Sequence, residues 1–104
     1  MTKKLDIARV TRMIDIVDAG LAVLATRPKL DDAYEECRAH ERAAQAILHV
    51  LADEHGAAWT SGGTGYTLRL AGIQSSCTGG PGGVLRNWIN AARRRLDAVA
   101  EHRP

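Results

Sequence analysis

The sequence predicts an α+β fold, in which an antiparallel hairpin of two helices precedes a small β-hairpin or three-stranded meander and a C-terminal helix. Apolar residues recur at three- and four-residue spacing in the first half of the chain and again near its C-terminus. Between these segments, from Gly56 to Gly83, lie nine of the ten glycines, which exclude regular helix there. The 104 residues are enough for one domain, 1–104, with one core.

The first two helices are predicted over residues 3–26 and 31–55. The first ends at Arg27, because the residue before Pro28 is disfavoured in the α conformation. The second begins among carboxylates, which the positive end of a helix dipole attracts, and stops at Gly56. The predicted inward faces are Leu5, Ile7, Val10, Met13, Ile14, Val17, Leu21 and Leu24 on the first helix and Tyr34, Cys37, Ala44, Ile47, Leu48 and Leu51 on the second.

Strands are predicted over 57–61 and 66–70, on either side of a glycine-rich turn, with a third short strand over 73–77. Apolar and polar residues alternate in the second strand, as they do in a half-buried strand. An isolated hairpin is marginally stable, so this sheet must pack on the helices.

The last helix is predicted to begin at Pro81, a favoured first helical residue, with Thr78 or Gly80 near its cap. Its inward stripe consists of Val84, Leu85, Trp88, Ile89, Ala92, Leu96 and Val99.

The net charge of +2 is unevenly distributed. Residues 1–26 sum to +1, residues 27–55 to −3, and residues 56–104 to +4, where all six basic residues are arginines. Such a dipolar chain favours an acidic partner for its C-terminal part, or self-association of opposite faces. The core contains no Phe and many alanines, so a homodimer would help to stabilise it.

The candidate binding residues are concentrated on the last helix. Arginine forks bind oxyanions, and asparagine pairs with adenine, so this helix suits phosphate and base-edge contacts. It equally suits a solvated or protein-contacting face. Trp59, beside a glycine-rich turn, is the more plausible surface aromatic for partner contact, whereas Trp88 belongs to the core. The full set of candidates is Trp59, Arg69, Arg86, Asn87, Asn90, Arg93, Arg94 and Arg95.

The choice between nucleic acid and protein depends on geometry. A continuous positive surface that joins the last helix to Arg69 would favour nucleic acid. If Glu35, Glu36 and Glu41 lie over the arginines, nucleic acid has no site and self-association is favoured.

No catalytic, metal or cofactor site is predicted. The glycine-rich bend before Pro81 lacks the Gly-Lys-Ser/Thr of a phosphate-binding loop. Cys77 has no neighbouring base in sequence and is interpreted as a small buried hydrophobe. The histidines lack the spacing of a helical zinc site, and Glu36 with His40 is interpreted as an exposed hydrogen-bonded pair. The sequence therefore predicts a protein that is not an enzyme and has no cofactor.

The predicted location is the cytoplasm. Two distant cysteines are fewer than a small secreted scaffold has. The charged N-terminus does not resemble a signal peptide, and no apolar run is long enough to span a membrane.

The run Leu70-Ala-Gly-Ile73, together with Ser76-Cys-Thr-Gly-Gly-Pro-Gly-Gly-Val-Leu-Arg-Asn-Trp88 and Ala91-Ala-Arg-Arg94, resembles small uncharacterised proteins of bacterial phages and prophages. It covers about the last third of the chain. The resemblance implies a protein that binds nucleic acid or inhibits a host nucleic-acid-handling machine, as an anti-CRISPR inhibitor does. The dipolar charge, the alanine-rich helices and the lack of a catalytic constellation favour a non-enzymatic adaptor or inhibitor that acts by protein contact, with a DNA- or RNA-binding module as the alternative.

Overall fold

The computed structural model describes residues 5–101 and confirms the predicted α+β fold. A helical hairpin is followed by an antiparallel meander of strand order β1-β2-β3 and a long last helix. The elements are α1 (Ile7–Thr26), α2 (Ala33–His55), β1 (Ala58–Gly62), β2 (Gly65–Leu70), β3 (Ile73–Cys77) and α3 (Pro81–Glu101).

Aspartates fix where the first two helices begin. Asp6 accepts the backbone N–H of Arg9 at 3.0 Å, so α1 begins at Ile7, and Leu5 precedes it without helical structure. The predicted helix was therefore wrong at Leu5 and Asp6, and its first two residues, 3 and 4, lie outside the described residues. Asp32 accepts two backbone N–H groups in the same way and caps α2. Gly56, with a φ of 72°, ends α2 in the left-handed conformation.

The predicted inward face of α2 was wrong at its first turns. Tyr34 is 66% exposed and Cys37 is exposed as well, whereas Ala44, Leu48 and Leu51 are buried as predicted. The buried part of α2 starts at Ala44, because the earlier turns lie beyond the end of the core. Helical periodicity indicates which side of a helix is apolar, but it does not tell how far along that side the neighbours reach.

The sheet has one covered and one open face. Leu68, Leu70 and Ile73 are buried on the face that meets the helices, where the Ser75 hydroxyl donates to the carbonyl of Val84 in α3 at 3.0 Å. Side chains alternate along a strand, so Arg69 and Gln74 point to the opposite, exposed face. α3 therefore packs on the covered face of the sheet, and α1 and α2 pack on α3, with the core between these elements.

Trp88 is fully buried and attaches α3 to the sheet. Its indole N–H donates to the carbonyls of Leu70 at 3.2 Å and Ile73 at 3.1 Å. These carbonyls flank the two-residue turn Ala71-Gly72, in which both φ values are positive, 54° and 80°. Positive φ at both central residues is the geometry that lets a tight hairpin follow the twist of its strands. The Trp88 side chain thus fixes the β2–β3 turn beneath α3.

Replacing Trp88 with Phe should lower the free energy of unfolding by about 2–4 kcal/mol, because the change removes the indole hydrogen bonds to two backbone carbonyls and also removes core volume. Urea unfolding followed by circular dichroism measures this. The matched control is Trp59→Phe, at a half-buried position, which should cost less than about 1 kcal/mol. Equal losses in the two variants would contradict the anchoring role of Trp88.

Gly65, the first residue of β2, and Gly63, in the turn before it, form a second matched pair of positions for substitution. A Cβ on Gly65 would overlap the carbonyl oxygen of Cys77 and lie 2.9 Å from the Cα of Thr78, and its φ is +117°. Gly65→Ala should therefore cost at least about 2 kcal/mol of stability. A Cβ on Gly63 meets nothing within 4 Å, so Gly63→Ala should change stability by less than about 0.5 kcal/mol. Thermal unfolding of both variants distinguishes the two positions, and a tolerated Gly65→Ala would refute the close approach.

Candidate binding surface

Three consecutive arginines, Arg93, Arg94 and Arg95, lie exposed near the C-terminal end of α3, and we refer to them as the arginine cluster. Successive residues of an α-helix point about 100° apart, so the three side chains leave the helix in three directions. No residue from Arg93 to Ala100 is buried, and only Leu96 and Val99 are half-buried. The last turns of α3 therefore extend past the core, which ends at Ala92.

The arginine cluster has no carboxylate partner among the side chains of residues 5–100. The ion pair found in this part of the chain joins Arg27 to Glu36, and Asp97 does not lie within 4 Å of Arg93. An unpaired, exposed guanidinium keeps all its donors for water or for a partner.

The two asparagines of α3 have different surroundings. The side-chain amide of Asn87 donates to the backbone carbonyl of Ser76 at 2.8 Å, which ties α3 to β3. Asn90 is exposed, and the described residues offer its side chain no hydrogen-bond partner. Asn87 thus has a structural contact that the sequence did not reveal, since the pairing depends on how α3 lies against β3.

Arg86 lies at an open depression between α2 and the first turn of α3. The depression is lined by Cys37, His40, Glu41, Arg86 and the segment 79–83. Glu41 therefore shares a depression with Arg86. Glu36 does not, because its carboxylate binds Arg27 and accepts the backbone N–H of Leu30 at 3.0 Å. The predicted hydrogen-bonded pair of Glu36 with His40 was also wrong, because the Glu36 carboxylate binds Arg27 and the backbone N–H of Leu30 instead.

Arg69 is separated from the arginines of α3 by the sheet. Its guanidinium donates to the side chain of Gln74 at 3.3 Å on the open face, whereas α3 packs on the covered face. The structure therefore does not join Arg69 and the arginine cluster into one continuous positive surface. Sequence alternation predicted a solvent-facing Arg69, but it did not tell which face α3 would cover.

Trp59 belongs to a small aromatic group at the other edge of the sheet. Its ring stacks on Tyr66, with centroids 6.2 Å apart, and His49 of α2 approaches edge-on at 5.1 Å. The hydroxyl of Tyr66 accepts a hydrogen bond from Gln45 at 2.8 Å. Trp59 is thus half-buried and links β1 to α2, apart from the arginine cluster.

The glycine-rich bend before α3 is organised around Cys77. Its half-buried thiol sulfur accepts the backbone N–H of Gly79 at 3.2 Å and occupies the space beside Gly83, where a Cβ would overlap it. Both cysteines are free thiols. Within residues 5–101, His, Cys, Asp and Glu side chains do not form any group of three or more suited to a metal ion.

A second exposed surface was not predicted from the sequence. An apolar groove runs along the hairpin between α1 and α2, lined by Ile16, Gly20, Ala46, Ile47, Val50 and Leu51. The sequence signal for this groove is the regular spacing of alanines on the outer side of α2.

The chain matches no known protein family, no curated protein and no solved structure. In the part of the chain that the structure describes, no helix combines the length and apolar character required to cross a membrane.

The role of Asn87 can be separated from ligand binding by comparing two alanine variants. Asn87→Ala removes the donor to the Ser76 carbonyl and should lower the free energy of unfolding by about 0.5–1.5 kcal/mol. Asn90→Ala, on the same helix, should change it by less than about 0.5 kcal/mol. Chemical unfolding of both proteins checks this, and a loss confined to Asn90→Ala would reverse the assignment.

Proposed function

We propose that this chain is a small non-enzymatic binding protein of the phage-encoded adaptor or inhibitor type. Its arginine cluster docks on an acidic surface of a protein that belongs to a nucleic-acid-handling machine, and inhibition of the anti-CRISPR kind is one form of this activity. The protein acts in the cytoplasm as a homodimer.

The observation that supports this proposal is the exposed arginine cluster at the free end of α3. Arginine is enriched at interface hot spots, since its planar fork binds carboxylates bidentately. A partner that surrounds the last turns of α3 would desolvate several guanidinium groups at once. Desolvated pairs of arginine and carboxylate contribute more to the binding free energy than exposed ion pairs, which give only about 0.2–1 kcal/mol each.

An acidic protein accounts for the charges better than a nucleic acid does. The net charge is only +2, Glu41 lines the same depression as Arg86, and Arg69 lies on the other face of the sheet. Asn87 is already engaged with Ser76, so it is not free to read a base edge. A nucleic acid would therefore meet few phosphate-binding groups on one surface.

A DNA- or RNA-binding module that uses α3 is the alternative. The spread of Arg93, Arg94 and Arg95 around the helix supports it, because a helix in a groove has phosphate backbones on both sides.

The test is to replace the arginine cluster and follow binding to two probes. The cluster variant is Arg93→Ala, Arg94→Ala and Arg95→Ala. The matched control removes the same charge from the helical hairpin with Arg12→Ala, Lys29→Ala and Arg38→Ala, at three exposed positions. The probes are a mixed-sequence DNA duplex, followed by fluorescence anisotropy at low and near-physiological salt, and host proteins captured on the immobilised chain.

We expect capture of an acidic host protein to weaken by about tenfold or more in the cluster variant, equivalent to about 1.4 kcal/mol, and to stay within about twofold in the control. Duplex binding should be absent near physiological salt. Capture that is equal in both variants would contradict the proposal. Salt-sensitive duplex binding that is lost only in the cluster variant would instead establish the nucleic-acid module.

A further inference from the structure

The outer side of α2 has a regular apolar stripe whose C-terminal half, Ala46 and Val50, is exposed. Ala39, Ala43, Ala46 and Val50 follow one another at four-, three- and four-residue steps, the spacing of a heptad seam. At about 100° per residue they lie on the opposite side of the helix from the buried Leu48. Ala46 is exposed and Val50 is 47% exposed, whereas Ala39 and Ala43 are half-buried and Ala43 packs against the core. We refer to these four residues as the alanine stripe.

Residues of α1 extend the alanine stripe into a wider apolar surface. Ile16 and Gly20 line the groove beside it, and Val23, the next outward residue of α1, is 67% exposed. Gly20 allows the two helices to lie close, since the Cδ1 of Ile47 is only 3.1 Å from the position of a Cβ. Single exposed apolar residues are ordinary, but a contiguous groove of this kind marks an interaction surface.

We infer that this surface is a homodimer interface, in which the hairpins of two copies pack with α2 antiparallel to α2 of the second copy. The small side chains of the alanine stripe allow the two helices to approach to about 8 Å, the short end of the usual interaxial range. The two hairpins then form a four-helix layer. This inference deepens the homodimer of the proposed function, but it uses a different element from the arginine cluster.

Surface area supports a second copy as the occupant. One chain exposes 7046 Å², whereas a compact protein of 11.2 kDa is expected to expose about 5,700 Å². The radius of gyration, 14.8 Å, likewise exceeds the value of about 13 Å expected for this length. A standard interface removes about 800 Å² from each partner, which is less than this difference in area, to which the exposed last turns of α3 also contribute.

Charge complementarity supports the antiparallel arrangement. Arg42 and Asp53 flank the alanine stripe on the same side, and both are exposed. Neither has an opposite charge within 4 Å among the described side chains. A twofold axis perpendicular to α2 at the level of Ile47 and Leu48, midway between residues 42 and 53, reverses the helix direction but keeps this side in place. It brings Arg42 of each chain beside Asp53 of the other, which is the self-complementarity that a twofold interface requires.

The mass of the protein in solution tests the inference. Light scattering after size exclusion should give the wild-type chain twice its 11.2 kDa. Ala46→Glu and Val50→Glu should each raise the dimer dissociation constant by about tenfold or more, because a carboxylate would be buried in the apolar interface. The matched control is Ala98→Glu, at an exposed alanine of α3, which should leave the dimer intact. Circular dichroism verifies that each variant is folded.

A charge exchange tests the register. Arg42→Asp alone and Asp53→Arg alone should each weaken the dimer, since each places like charges together across the axis. Mixing these two variants should restore a dimer, because every pair in the mixed complex is then of opposite charge. The combined variant Arg42→Asp with Asp53→Arg should also dimerise.

A wild-type chain that remains monomeric at about 100 μM would overturn the inference, and so would a dimer that Ala46→Glu leaves unchanged. A dimer whose dissociation constant is the same in all the charge-exchange variants would overturn the antiparallel register. Failure of the proposed function is distinguishable, because replacing the arginine cluster should abolish partner capture without changing the mass.

Discussion

The hydrogen bonds from the Trp88 indole to the carbonyls of Leu70 and Ile73 are the contact on which the other elements depend. They fix the β2–β3 turn, and the turn sets the register of the sheet. They also hold α3 on the covered face, where Ser75 and Asn87 add further contacts. With few aromatic residues in the chain, this one large side chain supplies both core volume and the orientation of α3.

The position of Trp88 divides α3 into two parts with different roles. From Val84 to Ala92 the helix is core, and its inward side chains are buried against the sheet and the helical hairpin. From Arg93 to Ala100 the same helix has no buried residue and presents three arginines. The buried anchor fixes the direction in which the arginine cluster extends from the core.

Local signals predicted the fold well, and the candidate site only in part. Helix and strand positions followed from apolar spacing, Pro28 and the glycines, and Trp88 was correctly predicted to be core. The exposure of Tyr34 was not predictable, because it depends on where neighbouring elements end. The separation of Arg69 from the arginine cluster was not predictable either, because the pattern of one strand does not tell which face of the sheet a distant helix covers.

Hydrogen exchange along α3, followed by mass spectrometry, tests most directly the claim that Trp88 pins the first part of the helix and leaves the arginine end free. Amide protons from Trp88 to Ala92 should exchange near the rate of global unfolding, whereas those after Leu96 should exchange much faster, through local fraying. Uniform slow exchange to the end of α3 would contradict this account, because it would mean that the last turns are as firmly packed as the core.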